Sequence, residues 1–179
     1  MDGTEFLASA IKRFREAKGQ CDRALAQVPP ERWSERLDPE SNSLATLILH
    51  MAGNMISRWS DFLTADGEKA DRNRDAEFED PQGLTHEALL ARWERGWATL
   101  FAAIEPLTDA DLSRTVTIRS QPHTVVDAIH RQVAHYAHHA GQMVFLAKHL
   151  AGAHWRTLSV PRGGSQAFNA EMDAKFGRS

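Results

Sequence analysis

Apolar residues recur along the chain at spacings of three, four and seven, and that rhythm predicts four helical stretches. The first carries Leu7, Ile11, Phe14, Cys21 and Leu25 on one face, with a cap at Asp2 or Thr4 and a stop at Pro29 and Pro30. The second opens at Ser43, a good N-cap, and runs to about residue 64 with Leu44, Leu47, Ile48, Met51, Met55, Trp59, Phe62 and Leu63 as a broad apolar face. The third is capped by Thr85 and carries Leu89, Leu90, Trp93, Trp97, Leu100, Phe101 and Ile104 before Pro106. The fourth starts behind Thr124, with Asp127 in a variant of the capping box. It runs through Val125, Ile129, Val133, Tyr136, Val144 and Ala147 to Gly152.

Between these stretches the pattern changes. Residues 66 to 83, DGEKADRNRDAEFEDPQG, are charged and end in Gly and Pro signals, so they are expected to form a surface loop with a mobile tip. Residues 114 to 123, RTVTIRSQPH, alternate and hold β-branched side chains, which suits an extended segment or a small hairpin. Four long amphipathic segments predict an all-α domain spanning 1–179, a four-helix bundle with a long connection between helices two and three. A short C-terminal extension, containing Pro161, Gly163 and Gly164, can fold back over it.

Composition narrows the function classes. With 179 residues, 42% hydrophobic and 25% charged, the chain suits one soluble globular domain. A net charge of −3 supplies no basic excess for phosphate backbones, so nucleic-acid binding is disfavoured. No apolar run is long enough for a membrane span and no leader pattern opens the chain. Together with a lone cysteine, Cys21, this leads to the expectation of a cytoplasmic protein with a buried thiol.

The unusual feature is nine histidines, five of them between positions 130 and 149. His135 and His139 stand four residues apart, on one helical face with Cβ atoms roughly 5–6 Å from each other. Two imidazoles so placed can share one metal ion, whereas His138 points about 100° away. Two surface histidines on an amphipathic helix would give the same spacing. A catalytic metal site usually takes three protein ligands and leaves one position open. His50, inside the second helix near Leu47 and Asn54, is the strongest candidate for the third, although a hydrogen-bonded core histidine is the commoner role for such a residue. Asn54 and Gln142, each about one turn from a candidate ligand, are candidates to orient an imidazole or to contact substrate. Arg58, Arg74 and Arg162 can fork a carboxylate, but the pattern places each in solvent.

With His50 in helix two and H-x-x-x-H-x-G-Q in helix four, the chain resembles the DinB-like superfamily of four-helix-bundle metal proteins. It is most similar there to a bacterial branch known only as a domain of unknown function. The strings LILHMAGNMISRWSDFLTADGEK, RNRDAEFED, RTVTIRSQPHTVVDAIHRQVAHYAHHAGQMVFLAK and SVPRGGSQAFN carry the similarity across most of the chain. The resemblance implies a site of His50, His135 and His139 holding a divalent metal, commonly zinc or nickel, and a homodimer. Characterised members of the superfamily include metal-dependent transferases that join low-molecular-weight thiols to electrophiles, and isomerases that use such a thiol. A small-molecule partner of the low-molecular-weight thiol kind is therefore expected, with thiol transfer or hydrolysis as the reaction. The alternative is a non-catalytic metal-binding or stress-response protein. No Glu follows His135 as in H-E-x-x-H, which disfavours peptide hydrolysis.

Overall fold

The computed structural model describes residues 2–79 and 83–177. Residues 80–82, part of the stretch expected to form a mobile surface loop, lie outside the described residues. The chain is mostly helical. Helix α1 spans Gly3–Leu25, α2 Leu44–Trp59, α3 His86–Ile104, α4 Val125–Ala151 and α5 Ser165–Phe176. A hairpin of β1 (Thr115–Ile118) and β2 (Gln121–Thr124) stands before α4.

The caps read from the sequence are the ones formed. The Asp2 carboxylate accepts from Thr4 N, Ser43 Oγ from Thr46 N, Thr85 Oγ1 from Ala88 N and Thr124 Oγ1 from Asp127 N. Each satisfies one of the backbone donors that a helix start leaves without an intrahelical partner. Gly152 ends α4 with a positive φ of 55°.

Helix α2 stops earlier than its apolar pattern predicts, at Trp59 and not near residue 64. Ser60 turns to extended backbone and Asp61 takes a φ of 50°, after which Thr64 N and Ala65 N both bond Asp61 O. The apolar rhythm survives the break, because Phe62 still packs its ring 4.7 Å from Trp59. Periodicity reports burial, and here burial continues through a turn.

Helix α2 packs along α3, and α1 packs along α4, with further contact of α2 with α4 and of α1 with α3. Phe14, Trp59, Trp93, Trp97 and Tyr136 are fully buried and meet edge to face or tilted, at centroid distances of 5.5–5.9 Å. Tyr136 stands at their centre. Its hydroxyl donates to Asn54 Oδ1 at 2.9 Å and accepts from Trp59 Nε1 at 3.1 Å. Cys21 is buried among these elements, and burial pushes its thiol up to about 12, which keeps it protonated and inert.

The hairpin turn places Arg119 and Ser120 at φ 54° and 61°, the left-handed pair of a type I′ turn. Asp66 holds it from outside, its carboxylate accepting from Arg119 N, Ser120 N and Glu68 N at 2.7–2.9 Å. Gly67 N also bonds Thr117 O, so the connection after α2 is tied to the hairpin that precedes α4. The C-terminal extension folds back only at its start. Trp155 and Leu158 pack on the core and Arg156 pairs through its backbone with Gln27, whereas α5 buries no residue. Among the described residues no helix is long and apolar enough to cross a membrane.

Candidate metal centre

His50 leaves α2 toward α4, and His135 and His139 leave α4 toward α2. Ring centroids lie 5.5 Å apart for His50 and His135, 4.9 Å for His50 and His139, and 4.6 Å for His135 and His139. One ligand atom from each lies within 4.8 Å of the others, and the trio can hold a metal ion. Two nitrogens on one ion at about 2.1 Å stand at most about 4.2 Å apart. Small side-chain rotations therefore close the remaining gap.

The protonation of the rings follows from their partners. Burial by itself raises the Glu77 pKa, but hydrogen bonds from His50 and Arg72 outweigh it and hold the carboxyl below its ordinary value. An ionised carboxylate only accepts, so His50 Nδ1, 3.0 Å from Glu77 Oε2, carries a proton, and in the neutral ring that tautomer leaves the lone pair on Nε2. His139 Nδ1 is 2.7 Å from Gln142 Oε1, and donation to that carbonyl likewise leaves Nε2 as an acceptor. His135 Nε2 is buried with no hydrogen-bond partner among the described residues. Burial, followed by the neighbouring imidazoles and by Arg58 and Arg72, drives the His135 pKa down to about 3. Burial also lowers His139, against the opposing pull of Gln142. Neutral imidazoles are the ligand form.

The residue that sequence reasoning missed is Glu77. It belongs to the charged stretch expected to lie on the surface, yet its side chain is 10% exposed and that of its partner Arg72 5%. Arg72 grips it through two bonds of 2.7 Å, and Phe78, the next residue, lays its ring 4.6 Å from His50. The 3-10 turn Asp75–Phe78 is thus a cover over His50, held to α2 by the His50–Glu77 bond, and earlier in the same connection Ser57 Oγ donates to Gly67 O and accepts from Lys69 N. The available signal was Phe78, an aromatic residue inside an otherwise charged run. Asn54 lies one turn beyond His50, where its Oδ1 accepts from the Tyr136 hydroxyl, while His50 Nδ1 faces Glu77. His138 is exposed on the outer side of α4 and His130 rests against Phe6 at the surface.

A cavity of about 330 Å³ opens beside the trio. Its walls include His50, His135, His139, Asn54, Gln132 and Phe78, together with arginines from α2, α4, the hairpin and the covering turn. Arg58, assigned to solvent by the sequence pattern, is instead buried: the connection after α2 folds back and covers the face that carries it.

Residues 2–164 match the model of a family described as "Protein of unknown function (DUF1572)". No curated protein matches the chain.

Proposed function

We propose, for a chain that belongs to the DUF1572 family, that His50, His135 and His139 bind one divalent metal ion and that the adjoining cavity makes the site catalytic. The observation that carries the reading is the convergence of three imidazoles whose Nδ1 or Nε2 atoms are disposed as ligands, with Glu77 and Gln142 fixing two of the tautomers. A metal-binding histidine ordinarily hands its other nitrogen to a carboxylate or carbonyl, the arrangement seen at His50 and His139. The four long helices then correspond to a DinB-like four-helix bundle.

Imidazole donors suit zinc or nickel, and among the described residues no thiolate joins the cluster to favour a softer ion. Three protein ligands beside a cavity leave room for substrate, which supports an enzyme over a closed structural site. A divalent ion bound there lowers the pKa of a thiol or water placed on it. That property suits this cavity, because among the described residues no carboxylate lines it to serve as a base. Glu77 is taken up by His50 and Arg72 and acts on the imidazole, not on substrate. Thiol transfer to an electrophile is the reaction these residues fit best, with hydrolysis second.

The test is metal analysis of the purified protein and of His50→Ala, His135→Ala and His139→Ala. Expected is one zinc or nickel ion per chain in the unmodified protein and a loss of uptake in each variant. A metal-dependent signal in a screen of low-molecular-weight thiols with electrophilic acceptors then separates the enzyme from a non-catalytic metal protein. Uptake by all three variants equal to that of the unmodified protein overturns the proposal.

A further inference from the structure

Five arginines, Arg58, Arg72, Arg74, Arg119 and Arg131, line the cavity beside the histidines, and among the described residues no aspartate or glutamate does. The carboxylates standing behind them are too few to neutralise this set. Glu77 is spent on Arg72 and His50. Glu68 is shared among three guanidiniums at longer distances: 3.5 Å from Arg58, 3.3 Å from Arg72 and 3.4 Å from Arg119. Arg74 lies over the Phe78 ring and 3.9 Å from Asp75, and Arg131 has no ion pair among the described residues. Like charges gathered on one cavity wall repel, and an excess of this kind persists where an anion belongs.

Arg58 is the most demanding of the five. Its side chain is 4% exposed, and its Nε and Nη1 are buried without a hydrogen-bond partner among the described residues. A buried guanidinium with unmet donors is destabilising unless something completes it. The chain nevertheless makes room for it: a Cβ at Gly67 would stand 2.8 Å from Nη1 and 2.9 Å from Cδ, so only glycine fits there without displacing it. On α4, Gln132 is 2% exposed and its side-chain carbonyl oxygen is also without a partner among the described residues. Two buried polar side chains with unmet capacity thus share one cavity wall. An amide presents a donor or an acceptor to that space by rotating.

We infer that this cavity seats the oxyanion of a small organic substrate, a carboxylate or a phosphate, on Arg58 and Gln132, with Arg119 and Arg131 drawing it in at the rim. This rests on the proposed metal site only for what lies beside the anion, since the arginine excess exists without a metal. Guanidinium geometry matches both carboxylate and phosphate oxygens, and charge-assisted bonds of this kind are the strong ones. The substrate class is thereby narrowed to anionic molecules small enough for about 330 Å³.

The test uses full-length protein freed of metal with a chelator, titrated calorimetrically in low-chloride buffer with succinate, with inorganic phosphate, and with neutral succinamide. Zinc uptake is measured on the same preparations. Expected is binding of succinate or phosphate but not succinamide, the tighter of the two anions identifying the source of the oxyanion. Arg58→Gln should weaken that binding about ten-fold or more, in line with loss of a charge-assisted bond. Arg58→Lys should weaken it less, and Arg131→Gln a few-fold. Zinc uptake should be unchanged in all three variants. If Arg58→Gln fails to fold, the exposed Arg131→Gln decides. The inference is overturned if neither anion binds the unmodified protein, or if the variants bind as it does. Anion binding without zinc uptake would remove the metal reading and leave the anion seat standing.

Discussion

Gly53 stands three residues after His50 on α2, against the carboxylate that holds His50, and Gly53→Ala tests whether that hold matters. A Cβ there would lie 2.2 Å from Glu77 Oε1 and 2.8 Å from its Cδ, where ordinary contact begins at 3.4 Å, so the carboxylate has to withdraw by more than 1 Å. Its bonds start at 3.0 Å to His50 and 2.7 Å to Arg72, and a retreat of that size breaks the first and distorts the second. Two effects on stability oppose. Alanine gains about 1 kcal/mol over glycine inside a helix. Loss of a hydrogen bond to a charged group costs about 1.5–3 kcal/mol. The net expectation is a small destabilisation of about 1 kcal/mol, the difference of those two terms. Metal affinity has no such offset. Removing an orienting partner of a metal-bound histidine lowers affinity about 10- to 100-fold, equivalent to about 1.4–2.7 kcal/mol. Zinc titration against a competing chelator reads the affinity, and urea unfolding of the metal-free protein reads the stability. Glu77→Gln should move affinity in the same direction. Zinc affinity in Gly53→Ala equal to that of the unmodified protein would refute the claim that Glu77 orients His50.

Gly96 lets α3 come close to α2, where a Cβ would sit 3.0 Å from Ala52 Cα and 2.9 Å from Met55 Cε. Gly96→Ala should therefore destabilise by about 1–3 kcal/mol despite its better helix propensity, and an unfolding midpoint at or above that of the unmodified protein would contradict this. Tyr136→Phe leaves Trp59 Nε1 and Asn54 Oδ1 unpaired in the core, for an expected loss of about 1–3 kcal/mol with zinc uptake unaffected. A drop in uptake without a loss of stability would assign Tyr136 a different role. Asp66 accepts backbone hydrogen bonds from Glu68, Ser120 and Arg119, which lower its pKa from 3.8 to about 2. Because the folded value is the lower one, its contribution is complete above 3.8 and fades as pH falls toward about 2. Acid titration of stability should show a slope in that window that Asp66→Asn flattens, and an unchanged slope would exclude the hairpin tie as its source.

Much of the helical scaffold was legible because its information is local. Caps at Asp2, Ser43, Thr85 and Thr124 act on the next turn, and apolar periodicity declares which face will be buried. The hairpin at 115–124 was legible for the same reason, from alternation over a few residues. The His135 and His139 pair belongs to this class as well, since four residues of helix are enough to bring two imidazoles together.

What a single segment does not encode had to come from packing. His50 joins the pair only because α2 lies against α4, and Glu77 reaches His50 across 27 residues of chain. The charged stretch was expected in solvent because its composition is polar, but charge excludes burial only when it is unpaired. Arg72 and Glu77 satisfy each other and can be covered. Arg58 shows the same limit from the other side: it falls off the apolar stripe of α2, and periodicity sends such a residue to water. The connection after Trp59 returns over that face, tied down through Ser57, Gly67 and Asp66, and turns it into a cavity wall. The sequence by itself determined the helices, their caps and one pair of candidate ligands. Tertiary structure brought His50, the sequence's candidate for a third imidazole, to that pair, and it alone decided the carboxylate behind it and the arginines around it, because each depends on which distant surfaces meet.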